Sequence, residues 1–147
     1  MKTLATFESA AFNTQEEKDH FINPGTFGDD LAKWLIGRLR QAGLRTDDEP
    51  GQEDFGWYLD FRVPEGEHCV VLGFRPEDPA PDGCWIAWLE RSRGLIGSLF
   101  GGRQRGIAAS AVAAVHQALQ DPEIRNVRWH QKGDFDALRE DLGTPEP

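Results

Sequence analysis

The clearest pattern in the chain is a strict alternation over residues 55–63. Phe55, Trp57, Leu59, Phe61 and Val63 share one face, and Gly56, Tyr58, Asp60 and Arg62 take the other. A period of two held over nine residues predicts a half-exposed β-strand. Residues 68–75 and 84–90 are apolar on both faces, which suits central strands. Pro64 to Glu67 forms a tight link between the first two of these strands, and Pro76 to Gly83 forms a loop between the second and third. Three consecutive strands with short links imply an antiparallel meander.

The helical period appears twice. Leu31, Trp34, Leu35, Leu39 and Ala42 recur at i, i+3, i+4 spacing, while Lys33, Arg38, Arg40 and Gln41 fall mostly on the other side. Thr26-Phe27-Gly28-Asp29 has the form of a capping box and Gly43 that of a C-terminal stop, so a helix is expected over 27–42. A second helix is expected over 106–120, with Ile107, Ala111, Val115, Ala118 and Leu119 as its stripe and Asp121-Pro122 as its end. Residues 2–7 and 124–130 read as outer strands. Asp134 is placed to cap a short last helix carrying Phe135, Leu138 and Leu142. The expected order is β-α-β-β-β-α-β-α. The economical fold is α+β: a mainly antiparallel sheet with two main helices on one face, in a single domain over 1–142, with a frayed tail at 143–147. A barrel-like closure is the alternative.

Composition narrows the function. The chain has 147 residues, 16 Lys and Arg against 25 Asp and Glu, and a net charge of −9. Such a balance disfavours nucleic-acid phosphates as a general partner. No apolar run is long enough to span a membrane, and the N-terminus lacks a secretory pattern, so a cytoplasmic location is expected. Cys69 and Cys84 are too few for a disulfide framework. In the expected hairpin they lie about 17 Å apart by strand rise, so they read as buried free thiols.

Candidate chemistry is concentrated in two segments. The connector 45–54 carries Asp47, Asp48, Glu49, Glu53 and Asp54, and from Asp47 onward it contains no Lys or Arg. Trp57 and Tyr58 follow on opposite faces of one strand. Negative potential beside an exposed ring suits a basic protein partner, because complementary charge speeds encounter and fixes register. The second segment, 91–106, is rich in Arg and Gly and has no acid. Arg91, Arg93, Arg103 and Arg105 just before a helix could hold a phosphate or carboxylate. Its apolar centre, Leu95 to Phe100, could instead pack on the sheet or join two copies into a homodimer. The stretch is neither a phosphate-binding P-loop nor a dinucleotide fingerprint, so no cofactor is expected. His20, His68, His116 and His130 fit no metal spacing with the cysteines, and no catalytic nucleophile motif stands out. An enzymatic role is therefore not favoured.

The run Asn23 to Leu35, followed by Gln52-Glu53-Asp54-Phe55-Gly56-Trp57, resembles small acidic uncharacterised bacterial proteins with a Glu-Asp-aromatic-Gly-Trp element. In size, charge and element mix the chain is similar to the immunity proteins of bacterial toxin systems. That likeness implies an inhibitor of a basic toxin or nuclease and assigns no residue a role. The leading expectation is a binding protein working through the acidic, aromatic surface. The rival is a small-molecule or anion-binding domain centred on the four arginines.

Overall fold

The computed structural model describes residues 1–22, 25–77, 82–92 and 105–147. The fold is α+β, a seven-stranded antiparallel sheet with two main helices and a short third one. In chain order the elements are β1 (Leu4–Glu8), α1 (Asp29–Gln41), β2 (Arg45–Thr46), β3 (Gly51–Glu53), β4 (Gly56–Val63), β5 (Gly66–Arg75), β6 (Cys84–Arg91), α2 (Ala109–Ala118), β7 (Arg125–His130) and α3 (Lys132–Asp136), and then a 3-10 turn at Glu140–Leu142.

The expected meander forms the middle of the sheet. The strand order is β2-β4-β5-β6-β1-β7, and β3 also pairs with β4. β1 enters between β6 and β7 and pairs antiparallel with both. β2 and β3 are additions to the expected order. Both pair with the edge of β4 not taken by β5. A free strand edge presents unpaired N–H and C=O groups, and the turn-rich connector supplies partners for them in two short pieces. The sheet remains open, with the β2/β3 side at one edge and β7 at the other.

One face of the sheet forms the core. Successive registers place Trp57, Leu72, Ala87, Ala5 and Trp129 in one inward row across five strands. Leu59, Val70 and Leu89 form the next row, and all eight residues are buried. α1 lays Leu31, Leu35 and Leu39 on this face, and α2 adds Val112 and Val115. The alternation in β4 thus sorts side chains as expected, with one exception. Phe55 lies just before the strand, is 53% exposed, and meets the Trp88 ring on the opposite face.

Three terminal details differ from expectation. The capping box at Thr26 does not form. Gly28, at φ 131°, occupies the N-cap of α1, and the Thr26 carbonyl accepts the Trp57 indole N–H. Asp29 bonds His20 instead, at 2.9 Å. α3 begins after Gln131 without a side-chain cap. Leu138 and Leu142, expected on this helix, lie beyond its end and are exposed, because the chain leaves the helix and turns through a left-handed Leu138. The tail expected to fray is held at Thr144, which exchanges two backbone hydrogen bonds with Trp129.

Both cysteines are free. Cys69 stands opposite Glu90 and Cys84 opposite Arg75, so the two lie well apart along the hairpin, as expected. Among the described residues no helix is long and apolar enough to cross a membrane.

Candidate functional site

The face of the sheet away from α1 and α2 is where the acidic segment meets the half-buried Tyr58 and Trp88 rings and the exposed Phe55. Tyr58, Val71, Trp88 and Leu4 form one outer row, and Asp60, Cys69 and Glu90 form the next. Tyr58 and Trp88 therefore flank Val71 at two strand spacings, about 10 Å. Tyr58 is half-buried because β3 crosses beside it. A Cβ at Gly51 would fall 2.3 Å from its ring, so glycine there lets the ring lie flat along the strand. Trp88 donates its indole N–H to Glu90 at 3.2 Å and packs against Phe55 with ring centroids 5.7 Å apart.

The five acidic candidates have different roles. The Asp47 carboxylate accepts the Asp60 N–H at 2.9 Å, and the Asp47 N–H donates to the Asp60 carbonyl. Asp47 thus ties the connector to β4 between β2 and β3. Asp48 is exposed and pairs with Arg40 at 2.8 Å. Glu49 and Glu53 are exposed and make no ion pair among the described residues. Asp54 is exposed at the turn into β4.

Of the two aromatic candidates, only Tyr58 lies on this face. Trp57 is 5% exposed and packs in the core, with its indole N–H held by Thr26 at 2.8 Å. It cannot anchor a partner, because the odd positions of β4 face the helices.

Electrostatics connect Asp47, Glu53 and Tyr58 with a residue outside the candidate set. Burial raises the Asp60 carboxyl above its ordinary range, and Asp47 and Glu67 push it further. Hydrogen bonds from Cys69 and Ser92 pull the other way. Burial also raises the Tyr58 phenol, with Glu53, Asp60 and Asp47 adding to the effect. Apart from burial, the causes that raise both groups are neighbouring acidic groups and, for Tyr58, Cys69. Asp60 could have been found from the alternation alone, since it lies two positions after Tyr58 on the same face. Trp88 required the register of two further strands.

The arginine segment divides differently. Arg91 ends β6 on the helix side, donates to the Glu65 carbonyl, and approaches His68 Nε2 at 3.4 Å. Glu65 also accepts the Ser110 hydroxyl at 2.7 Å, which puts a carboxylate at the start of α2. Arg105 is exposed. Arg93, Arg103 and the Leu95 to Phe100 stretch lie outside the described residues. Among those described, no three His, Cys, Asp or Glu side chains come together in a metal-binding group.

Compared with known proteins, the chain matches no family model, no curated protein and no solved structure.

Proposed function

We propose that the protein is a binding protein whose acidic outer edge docks a basic protein partner, of the kind a toxin or nuclease would present. The observation that carries this reading is the crowding of negative charge around Asp60. A half-buried carboxylate is held beside Asp47 and Glu67, and burial with these neighbours raises its pKa despite the hydrogen bonds from Cys69 and Ser92. Like charges kept close cost stability. A partner's Arg or Lys at this edge would relieve that cost, and Tyr58 and Trp88 offer ring faces to the same cation. Glu49 and Glu53 extend the negative field outward, where it acts on the rate of encounter.

The anion-binding reading draws less support. Arg91 is engaged by Glu65 and His68, and Glu65 already occupies the positive end of α2.

The test uses the double variant Glu49→Lys/Glu53→Lys, whose changes fall on exposed side chains. A basic protein captured from the native cell should associate with the wild type at a rate that falls steeply as salt rises. The variant should associate at least about tenfold more slowly, with a flatter salt dependence. Equal kinetics for the two chains would remove this edge from the binding surface. A thermal-shift screen against phosphates and carboxylates tests the rival reading, since a ligand of the native state raises the melting temperature.

A further inference from the structure

Phe55 is a large apolar side chain left 53% exposed at the turn into β4. A lone exposed apolar residue needs no explanation, but this one belongs to a patch. Its ring centroid lies 5.7 Å from that of Trp88, with 47° between the planes. Trp88, Ile86 and Tyr58 are all half-buried on the same outer face. Ile86 lies two positions from Trp88 along β6, and Tyr58 shares the row of Trp88 across Val71.

Acids rim this patch. Glu53 and Asp54 lead into Phe55 and are exposed, and Asp60 and Glu90 hold the next outer row. Apolar patches with polar rims mark sites of contact with other proteins.

The rings are also held in place in the free chain. Gly73 on β5 carries no side chain, and a Cβ there would meet the Phe55 carbonyl at 3.7 Å and the Trp88 ring at 3.8 Å. The Trp88 indole N–H is tied to Glu90 at 3.2 Å. The residue after Phe55, Gly56, backs so closely onto the Leu72 carbonyl that a Cβ there would lie 1.9 Å from the oxygen. A ring fixed in advance loses little freedom on binding.

We propose that Phe55, seated on Trp88, is the apolar anchor of the acidic edge and enters an apolar socket rimmed by Lys and Arg on a basic protein partner. The proposal rests on the reading of that edge as a docking surface, and it names what the partner must offer besides charge. Trp57 is closed off in the core, and Phe55 fills the anchoring role instead. Anchors of this kind are aromatic, central and desolvated, with weaker contacts around them that keep water out. Charge argues against a second copy as the occupant. A two-fold interface sets one patch against itself, and here it would bring Glu53, Asp54, Asp60 and Glu90 against their own copies. The acids of the rim set the rate of encounter, and Phe55 sets how long the complex lasts.

The test measures binding of the full chain to two synthetic helical peptides of equal charge. One is built from lysine and leucine on opposite faces, and the other has serine in place of every leucine. The wild type should bind the leucine peptide at least about tenfold more tightly. Phe55→Ser, checked for native circular dichroism, should remove most of that difference through faster dissociation. It should leave the serine peptide's affinity and salt dependence unchanged, and Phe55→Tyr should keep the leucine preference. Glu49→Lys/Glu53→Lys should weaken both peptides. Equal affinity for the two peptides, or a leucine preference that survives Phe55→Ser, would overturn the anchor while leaving the acidic edge intact. Binding of neither peptide would remove the edge and the anchor together. Light scattering on the wild type completes the test: self-association that Phe55→Ser abolishes would give this face to a second copy and overturn the proposal.

Discussion

Asp60 is destabilised where it stands. Its folded carboxyl titrates above the unfolded one, chiefly through burial and then through Asp47. Between those two values the native state holds the extra proton, so this group's contribution to stability falls as pH rises through that window. At neutral pH the charged form is therefore a net cost. Asp60→Asn should stabilise the fold at pH 7 by up to about 1 kcal/mol, the scale of like-charge repulsion between strands, with the gain vanishing near pH 3. Urea denaturation at the two pH values checks this, and a loss at pH 7 would mean that the bonds from Cys69 and Ser92 outweigh the repulsion. Gly56 is constrained by space. A Cβ there would lie 1.9 Å from the Leu72 carbonyl oxygen on β5, so Gly56→Ala must push two paired strands apart. The expected loss is about 3 kcal/mol or more, read from the same denaturation curves. A glycine inside this strand thus answers to a close backbone approach, and the carbonyl of Leu72 is the group that approaches.

Elements were legible in the sequence where one periodicity decides them, as in β4, β5, β6, α1 and α2. The connector was not, because β2 and β3 exist only through the free edge of β4 and carry no apolar signature of their own. Trp57 was ambiguous for a related reason: alternation separates it from Tyr58 but does not say which face the helices cover. The role of His68 was hidden as well, since it depends on contact between a strand and a helix forty residues later. His68 is fully buried in β5, bonds the Gly66 carbonyl through Nδ1, and accepts the Ala108 N–H at 3.0 Å through Nε2. It therefore caps α2, which has no capping side chain at its N-cap residue. Only a neutral imidazole can accept that bond, and burial lowers its pKa. The unfolded chain takes up this proton near pH 6.5 and the folded chain lower, so stability is full above about pH 6.5 and is lost as pH falls below it. His130 is shifted in the same direction and adds to the slope. His68→Ala should cost about 2–4 kcal/mol at pH 7.5 by leaving a void and orphaning the Ala108 N–H, and should flatten the acid slope. Melting curves from pH 7.5 to 5 read both effects, and an unchanged slope would remove His68 from the transition.

For the whole molecule the governing quantity is a net charge of −9. Several ion pairs among the described residues join exposed side chains, such as Arg40–Asp48 and Arg139–Asp141. Pairs of that kind contribute little and are screened by salt. The repulsion among Asp47, Asp60, Glu67, Glu53 and their neighbours is screened as well, and it outweighs those pairs because acids outnumber bases by nine. The Arg75–Glu140 pair is partly buried and less accessible to screening. Raising the salt concentration from about 0.01 to 0.5 M shortens the Debye length severalfold. It should therefore raise the melting temperature by a few degrees, at about 2–4 °C per kcal/mol for a chain of this size. In Glu49→Lys/Glu53→Lys each reversal adds two positive charges and brings the net from −9 to −5. If the acidic edge is the main source of strain, this variant should melt higher than the wild type at low salt and gain less from added salt. A melting temperature that falls with salt would show the ion pairs to be the stronger term. The acidic edge would then be settled within the fold, with no strain for a partner's cations to relieve.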